Sequence, residues 1–321
     1  MNFVFEAFVT EIIADGDLAA FALGDGTVAW ESGPRVEAHD GAILCAAGHP
    51  SGQGLITGGD DGRLVWSRDG ACQTIAEAPR KWIDAVAVSP ASGLIAFSAG
   101  REVRVRDAGA PDFERLFTHE ASVAALAFDP KGRRLAAATY GGAALWYARI
   151  VDQKPVMLRW AGSHVGLMFS PDGKFLVSAM QESALHGWRL SDAKDMRMGG
   201  YPSKVRSLAF MGGGWLATSG ANGAVLWPFV GANGPMGKQA MEIGWDETAL
   251  VSRVAGDADG EHLVAGLDDG RIWACHLASE RRVTLRADKG PPISALAVLS
   301  GGRVAWGDEA GGAGIIDMGA V

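Results

Sequence analysis

Residues 55–66 read LITGGDDGRLVW: an apolar run from Leu55, a Gly-Gly-Asp-Asp-Gly turn, and a second apolar run closing on Trp66. Two short apolar runs joined through Asp-Gly are the pattern of a tight β-hairpin, because the turn needs left-handed backbone that Gly and Asp supply. The pattern recurs along the chain as LAAFALGDGTVAW at 18–30, LIAFSAGREVRVRD at 94–107, LAAATYGGAALW at 135–146 and LVSAMQESALHGW at 176–188. It continues as LATSGANGAVLW at 216–227, LVAGLDDGRIW at 263–273 and VAWGDEAGGAGIID at 304–317. The starts lie 37, 39, 41, 41, 40, 47 and 41 residues apart, so eight units nearly fill 321 residues. Self-similarity at that period marks a repeat architecture.

Ahead of most hairpins lies another short apolar stretch, beginning at Ile43, Ile83, Val123, Val165 and Val205 and ending in a turn such as Ser170-Pro171-Asp172-Gly173. A more polar segment further upstream can supply an outer edge strand. Four strands per unit of about 40 residues predict an all-β fold: one closed β-propeller of four-stranded antiparallel blades over residues 1–321. Helical repeats would need 3.6-residue periodicity over longer runs than these Gly-bounded ones.

These residues resemble the WD-repeat propellers. His39 and His119 stand four residues before Ile43 and Val123, where that family places a histidine. Ser89-Pro90, Asp129-Pro130 and Ser170-Pro171-Asp172-Gly173 match its first turn; Asp25-Gly26, Asp61-Gly62 and Asp269-Gly270 match its second. The match covers essentially the whole chain, and eight units in register give it its weight. The tryptophans depart from the pattern. Trp30 and Trp66 follow Asp25 and Asp61 by five residues, and Trp146 and Trp227 follow Gly141 and Asn222 by five, against six in the family; Trp188 keeps the family's offset from Glu182. Because side chains alternate along a strand, the offset predicts rings packed between blades and outside the family's His-Ser-Asp-Trp network. The expected count is eight blades, with seven as the alternative. Phe3 to Glu6 is expected to complete the last blade beside Gly314 to Asp317, tying the two ends of the ring together.

Composition narrows the function classes. A formal charge of -8 and a pI near 5.4 disfavour nucleic acid as a partner. Cys45, Cys72 and Cys275 are too scattered for a disulfide framework or a cysteine zinc site. The 45 glycines fit a chain full of turns. There is no apolar run of membrane-spanning length, and residues 1–14 lack the basic start of a secretory signal. Cytoplasmic residence and no membrane partner are therefore expected. An excess of Arg over Lys, 21 to 8, points to a bacterial source.

No catalytic constellation, cofactor or metal ligand set is assigned. The Asp-Gly pairs read as turn residues before they read as calcium ligands. Cys275 and His276 are adjacent, so on a strand they face opposite ways. Gly234-Pro235-Met236-Gly237-Lys238 lacks the spacing of a phosphate loop. The stronger signal is positional: segments leading into the inner strands collect on one rim and carry Arg80, Lys81, Trp82, Trp160, His164, Tyr201, Lys204, Trp245 and Lys289. Trp, Tyr and Arg are the residue types that anchor interfaces. A second candidate is the longer interval at 229–245, with Met236 and Met241 as adaptable apolar contacts. The expected function is a non-catalytic, monomeric module or scaffold that presents this rim to a protein or peptide. The alternative is a ligand- or metal-binding propeller, or an enzyme, with its site in the central channel.

Overall fold

Runs such as Leu94–Ala99 (LIAFSA) are short, apolar on both faces and bounded by glycine, so they form strands buried on both sides. The computed structural model describes residues 1–319. Every unit follows the same meander. Ile43–Gly48, Leu55–Gly59, Arg63–Arg68 and Ala71–Glu77 pair antiparallel in chain order, and Ala85–Ser89, Leu94–Ala99, Glu102–Asp107 and Ala110–Thr118 do the same. The first of each four is the inner strand and the last the polar outer edge.

The last sheet is completed by the first strand of the chain. Asn2–Val4 pairs with 312–314, from Asn2↔Gly314 to Val4↔Gly312. Phe3 and Phe5 lie 5.6 and 5.4 Å from Phe21 of the neighbouring unit. The Ser294 hydroxyl donates to the Val9 carbonyl across the same junction at 2.7 Å. These contacts close the ring, as the expected place of residues 3–6 requires.

The blade count departs from eight. The strands form seven hydrogen-bonded sheets, six of four strands and one of six. Seven is the alternative number, but it arises by fusion and not by loss of a unit. In the six-stranded sheet, Arg134–Tyr147 and Val156–Phe169 each contribute to more than one ladder. Arg134–Tyr147 is folded at Gly141 and Gly142 (φ 88° and 136°), since the Ala148 N–H donates back to the Arg133 carbonyl at 2.9 Å. Val156–Phe169 pairs first with 142–145 and then, beyond Ser163, with 176–180. Val156–Phe169 runs unbroken from the ladder of the fourth sequence unit into that of the fifth, so they share one sheet.

The core lies between neighbouring units. Leu94, Val103 and Val105 of the third unit meet Leu135, Ala137 and Trp146 of the fourth. Phe175 and Val177 of the fifth meet Leu216 and Phe229 of the sixth. Each fully buried Leu or Phe contributes about 2–3 kcal/mol by burial alone. The inner strands approach so closely that glycine recurs opposite them: a Cβ on Gly58 would lie 2.5 Å from Ile83, and one on Gly307 2.5 Å from Val9.

The tryptophans pack between units, but Trp30, Trp66, Trp146 and Trp227, which share one offset, fall on two different faces. Trp30 and Trp66 turn toward the following unit, whereas Trp146, Trp188, Trp227 and Trp273 turn toward the preceding one. Turn length sets the difference between Trp66 and Trp227. The last pair before the turn is Gly58↔Leu64 in one hairpin and Thr218↔Val225 in the other, so 59–63 is replaced by a segment one residue longer, 219–224. One extra residue reverses the face that follows.

Candidate partner-binding rim

In an antiparallel meander the turn between the second and third strands and the connection into the next inner strand emerge at the same end. One face of the ring therefore gathers 60–62, 78–84, 140–142, 160–163, 199–207, 244–250 and 287–292. Beneath it, buried side chains bind these segments to the sheets. His39 contacts Thr57 Oγ1 through Nε2 at 2.8 Å and Asp61 Oδ1 through Nδ1 at 3.0 Å. The Trp146 indole N–H donates to His119 Nε2 at 3.0 Å. His164 Nδ1 lies 2.7 Å from Ser178 Oγ, and its Nε2 is 3.1 Å from the Trp160 carbonyl. The Trp227 indole donates to Tyr201 Oη at 2.7 Å, and that hydroxyl lies 2.7 Å from Thr218 Oγ1.

Polar networks thus contribute alongside apolar packing, which corrects the expectation that Trp146 and Trp227 stand outside them. Burial pushes the Tyr201 hydroxyl up to about 12, and it lowers His119 and His164, so both rings stay neutral at pH 7. At Asp61 burial raises the carboxyl, but the Arg63 N–H, His39 and the Arg63 guanidinium outweigh it and hold the group well below the usual carboxylate range.

The nine candidate residues separate accordingly. Tyr201 and His164 are buried in these networks and present no surface, so the structure corrects their place on the rim. Trp82 and Trp245 stand out into solvent, 64% and 58% exposed. Trp160 is intermediate: 36% exposed, it stacks on His186 with ring centroids 4.0 Å apart. Arg80 sits at φ 64° at the head of the same turn as Trp82, and Lys81 beside it pairs with Glu102 at 2.9 Å. Lys204 is exposed at the channel mouth.

Lys289 lies 3.5 Å from Asp269, inside a charge network whose hub is Arg271. Arg271 contacts Asp246, next to Trp245, at 2.8 Å and Asp269 at 2.7 Å. Charge on that arc is balanced within the protein. Trp82 and Tyr140 expose their rings outside that network.

Tyr140, 72% exposed in the turn Thr139-Tyr140-Gly141-Gly142, is the rim residue that sequence reasoning missed. Its signal was an aromatic ring in a two-glycine turn, a position that needs no side chain for its geometry. Pairing of Tyr140 with Ser163 places it beside the strand Val156–Phe169 that carries Trp160.

In the long interval at 229–245, Met236 and Met241 do not form a free contact surface. Phe229 is buried, Gly234 rests against the Phe175 ring, and Met236 packs into the cluster between the fifth and sixth units. Met241 packs from an outer strand into the next cluster. The Lys238 ammonium donates to the Val230 carbonyl at 2.5 Å. The Asp-Gly aspartates serve their turns: Asp25 accepts from the Thr27 N–H at 3.1 Å and pairs with Arg35 at 2.6 Å. Cys275 is buried in the core, and His276 on the opposite side meets Ser279 at 2.9 Å. Among the described residues no cluster of three or more His, Cys, Asp or Glu is placed to hold a metal, and no helix is long and apolar enough to cross a membrane.

Comparison with known proteins agrees with this geometry. Residues 31–66 match the family model described as WD domain, G-beta repeat. That segment contains the hairpin LITGGDDGRLVW and the His39–Thr57–Asp61 network. No curated protein matches the sequence. Among solved structures, the chain is similar to a crystal structure of the computationally designed Ika8 protein, at 17% identity and a TM-score of 0.78, over 98% of this chain and 97% of that one. At that identity the likeness concerns the fold alone.

Proposed function

We propose that this chain, which belongs to the WD40-repeat propeller family, is a non-catalytic scaffold that binds a protein or peptide through the rim bearing Trp82, Tyr140 and Trp160. WD40 propellers are generally protein-interaction scaffolds and not enzymes. The observation that carries the finer reading is the exposure of Trp82 and Tyr140 on short turns of a rigid ring. A Trp or Tyr ring has only two side-chain torsions to fix on binding and offers area with a polar handle. Arg80 and Lys204 add positive charge on the same face of an acidic protein, which suits a partner segment carrying carboxylates. Trp245 lies further round the rim and extends the surface. We place the protein in the cytoplasm as a monomer that contacts neither nucleic acid nor membrane; a closed ring leaves only short strand edges open to pairing.

Photo-crosslinking tests the assignment. A photoreactive amino acid at position 82 or 140 should capture the partner, and the same group at exposed Ile150, in the turn at the opposite end of the fourth unit, should not. Equal capture from all three positions would contradict the rim reading.

A further inference from the structure

The central channel holds a cavity of about 510 Å³ with two kinds of wall. Its lining includes apolar Val165, Met168 and Leu208 and the three cations Lys204, Arg206 and Arg253. Its size falls in the range of small-molecule sites, roughly 300–1,000 Å³.

Arg253 is the residue whose surroundings ask for a ligand. It projects from the inner strand Val251–Gly256 and is half-buried. Its side-chain hydrogen bond runs to the carbonyl of its neighbour Ser252 at 3.0 Å, and among the described residues no carboxylate comes within ion-pair distance of it. Burial pulls its guanidinium pKa down; Glu11 and Glu309 offset part of that and Arg206 adds to it. A desolvated guanidinium with unused donors gains most from a planar or tetrahedral oxyanion.

Arg206 is largely uncommitted too: its Nη1 lies 3.8 Å from Glu309, and the side chain is 58% exposed. The acidic groups nearby are Glu11, Glu309 and Asp268, the last two lining the adjoining pocket with Lys204 and Arg206.

We propose that this cavity binds a small organic anion, its phosphate or carboxylate head held by Arg253, Arg206 and Lys204 and its body against Val165, Met168 and Leu208. The site shares Lys204 with the rim face but includes none of Trp82, Tyr140 and Trp160.

Calorimetric titration of the full chain at low salt with phenyl phosphate, inorganic phosphate and phenol tests the proposal. Phenyl phosphate should bind with a Kd of about 1 mM or tighter, inorganic phosphate roughly tenfold more weakly, and phenol not at all. Arg253→Met should weaken phenyl phosphate at least about tenfold, and Arg253→Lys less, because lysine keeps the charge although it loses the fork. Trp82→Ala should leave this binding unchanged. If Arg253→Met does not fold, Arg206→Met and Lys204→Met, both at exposed positions, should each weaken binding several-fold. Absence of heat with millimolar phenyl phosphate, or equal affinity in the folded arginine and lysine variants, overturns it.

Discussion

At the residue scale, Asp61 shows how one turn aspartate is built into the fold. It accepts from the Arg63 N–H at 2.9 Å and from Arg63 Nε at 2.7 Å, and it meets His39 Nδ1 at 3.0 Å. Its carboxyl is held below its ordinary 3.8, so it contributes stability that is complete above that pH and lost as pH falls toward the folded value. Asp61→Asn should therefore cost about 1–3 kcal/mol at pH 7. In urea unfolding followed across pH, the gap from wild type should narrow below pH 4 or so; a constant gap would contradict the charged role. Tyr201→Phe should also cost about 1–3 kcal/mol, because the Trp227 indole N–H loses its acceptor in a buried site. Partner binding by that variant should be unaffected. His39 was legible because its spacing to Ile43 is the family's. Tyr201 has the same spacing to Val205, but a tyrosine in place of a histidine read as a binding residue, and only the fold shows its hydroxyl turned inward. His164 lies immediately before Val165, so its register carried no such signal.

At the scale of elements, hairpin existence was readable and hairpin parity was not. Apolar runs and Asp-Gly turns locate strands, but a turn one residue longer, as at 219–224, moves Trp227 to the other face without changing the composition around it. The connection 229–240 was legible only as extra length. Its packing against Phe175 and Phe229 depends on long-range contacts no local pattern encodes. Met236→Ala should lower stability by about 1–2 kcal/mol, less than the loss of a fully buried methionine. Its midpoint in chemical denaturation checks this; an unchanged midpoint would mean the segment is a free loop after all.

At the scale of the whole molecule, the repeat length predicted a closed ring, and the ends of the chain close it. The fusion of two units was not readable, because it rests on Val156–Phe169 running unbroken from one ladder into the next. Removing residues 1–7 deletes the outer strand of the last sheet and takes Phe3 and Phe5 from the cluster around Phe21. Calorimetry should then show a Tm lower by roughly 5–10 °C. A Tm equal to that of the intact chain would show that the ring does not depend on this closure.

The claim on which the functional reading turns is that exposed aromatic side chains on one face hold a protein partner. It is tested most directly by measuring the affinity of the crosslinked partner, once purified, for the wild-type chain and for Trp82→Ala and Tyr140→Ala. Each substitution should weaken binding by about 2 kcal/mol or more, some thirtyfold in Kd, with thermal unfolding unchanged. Affinities equal to wild type in both folded variants would contradict the account.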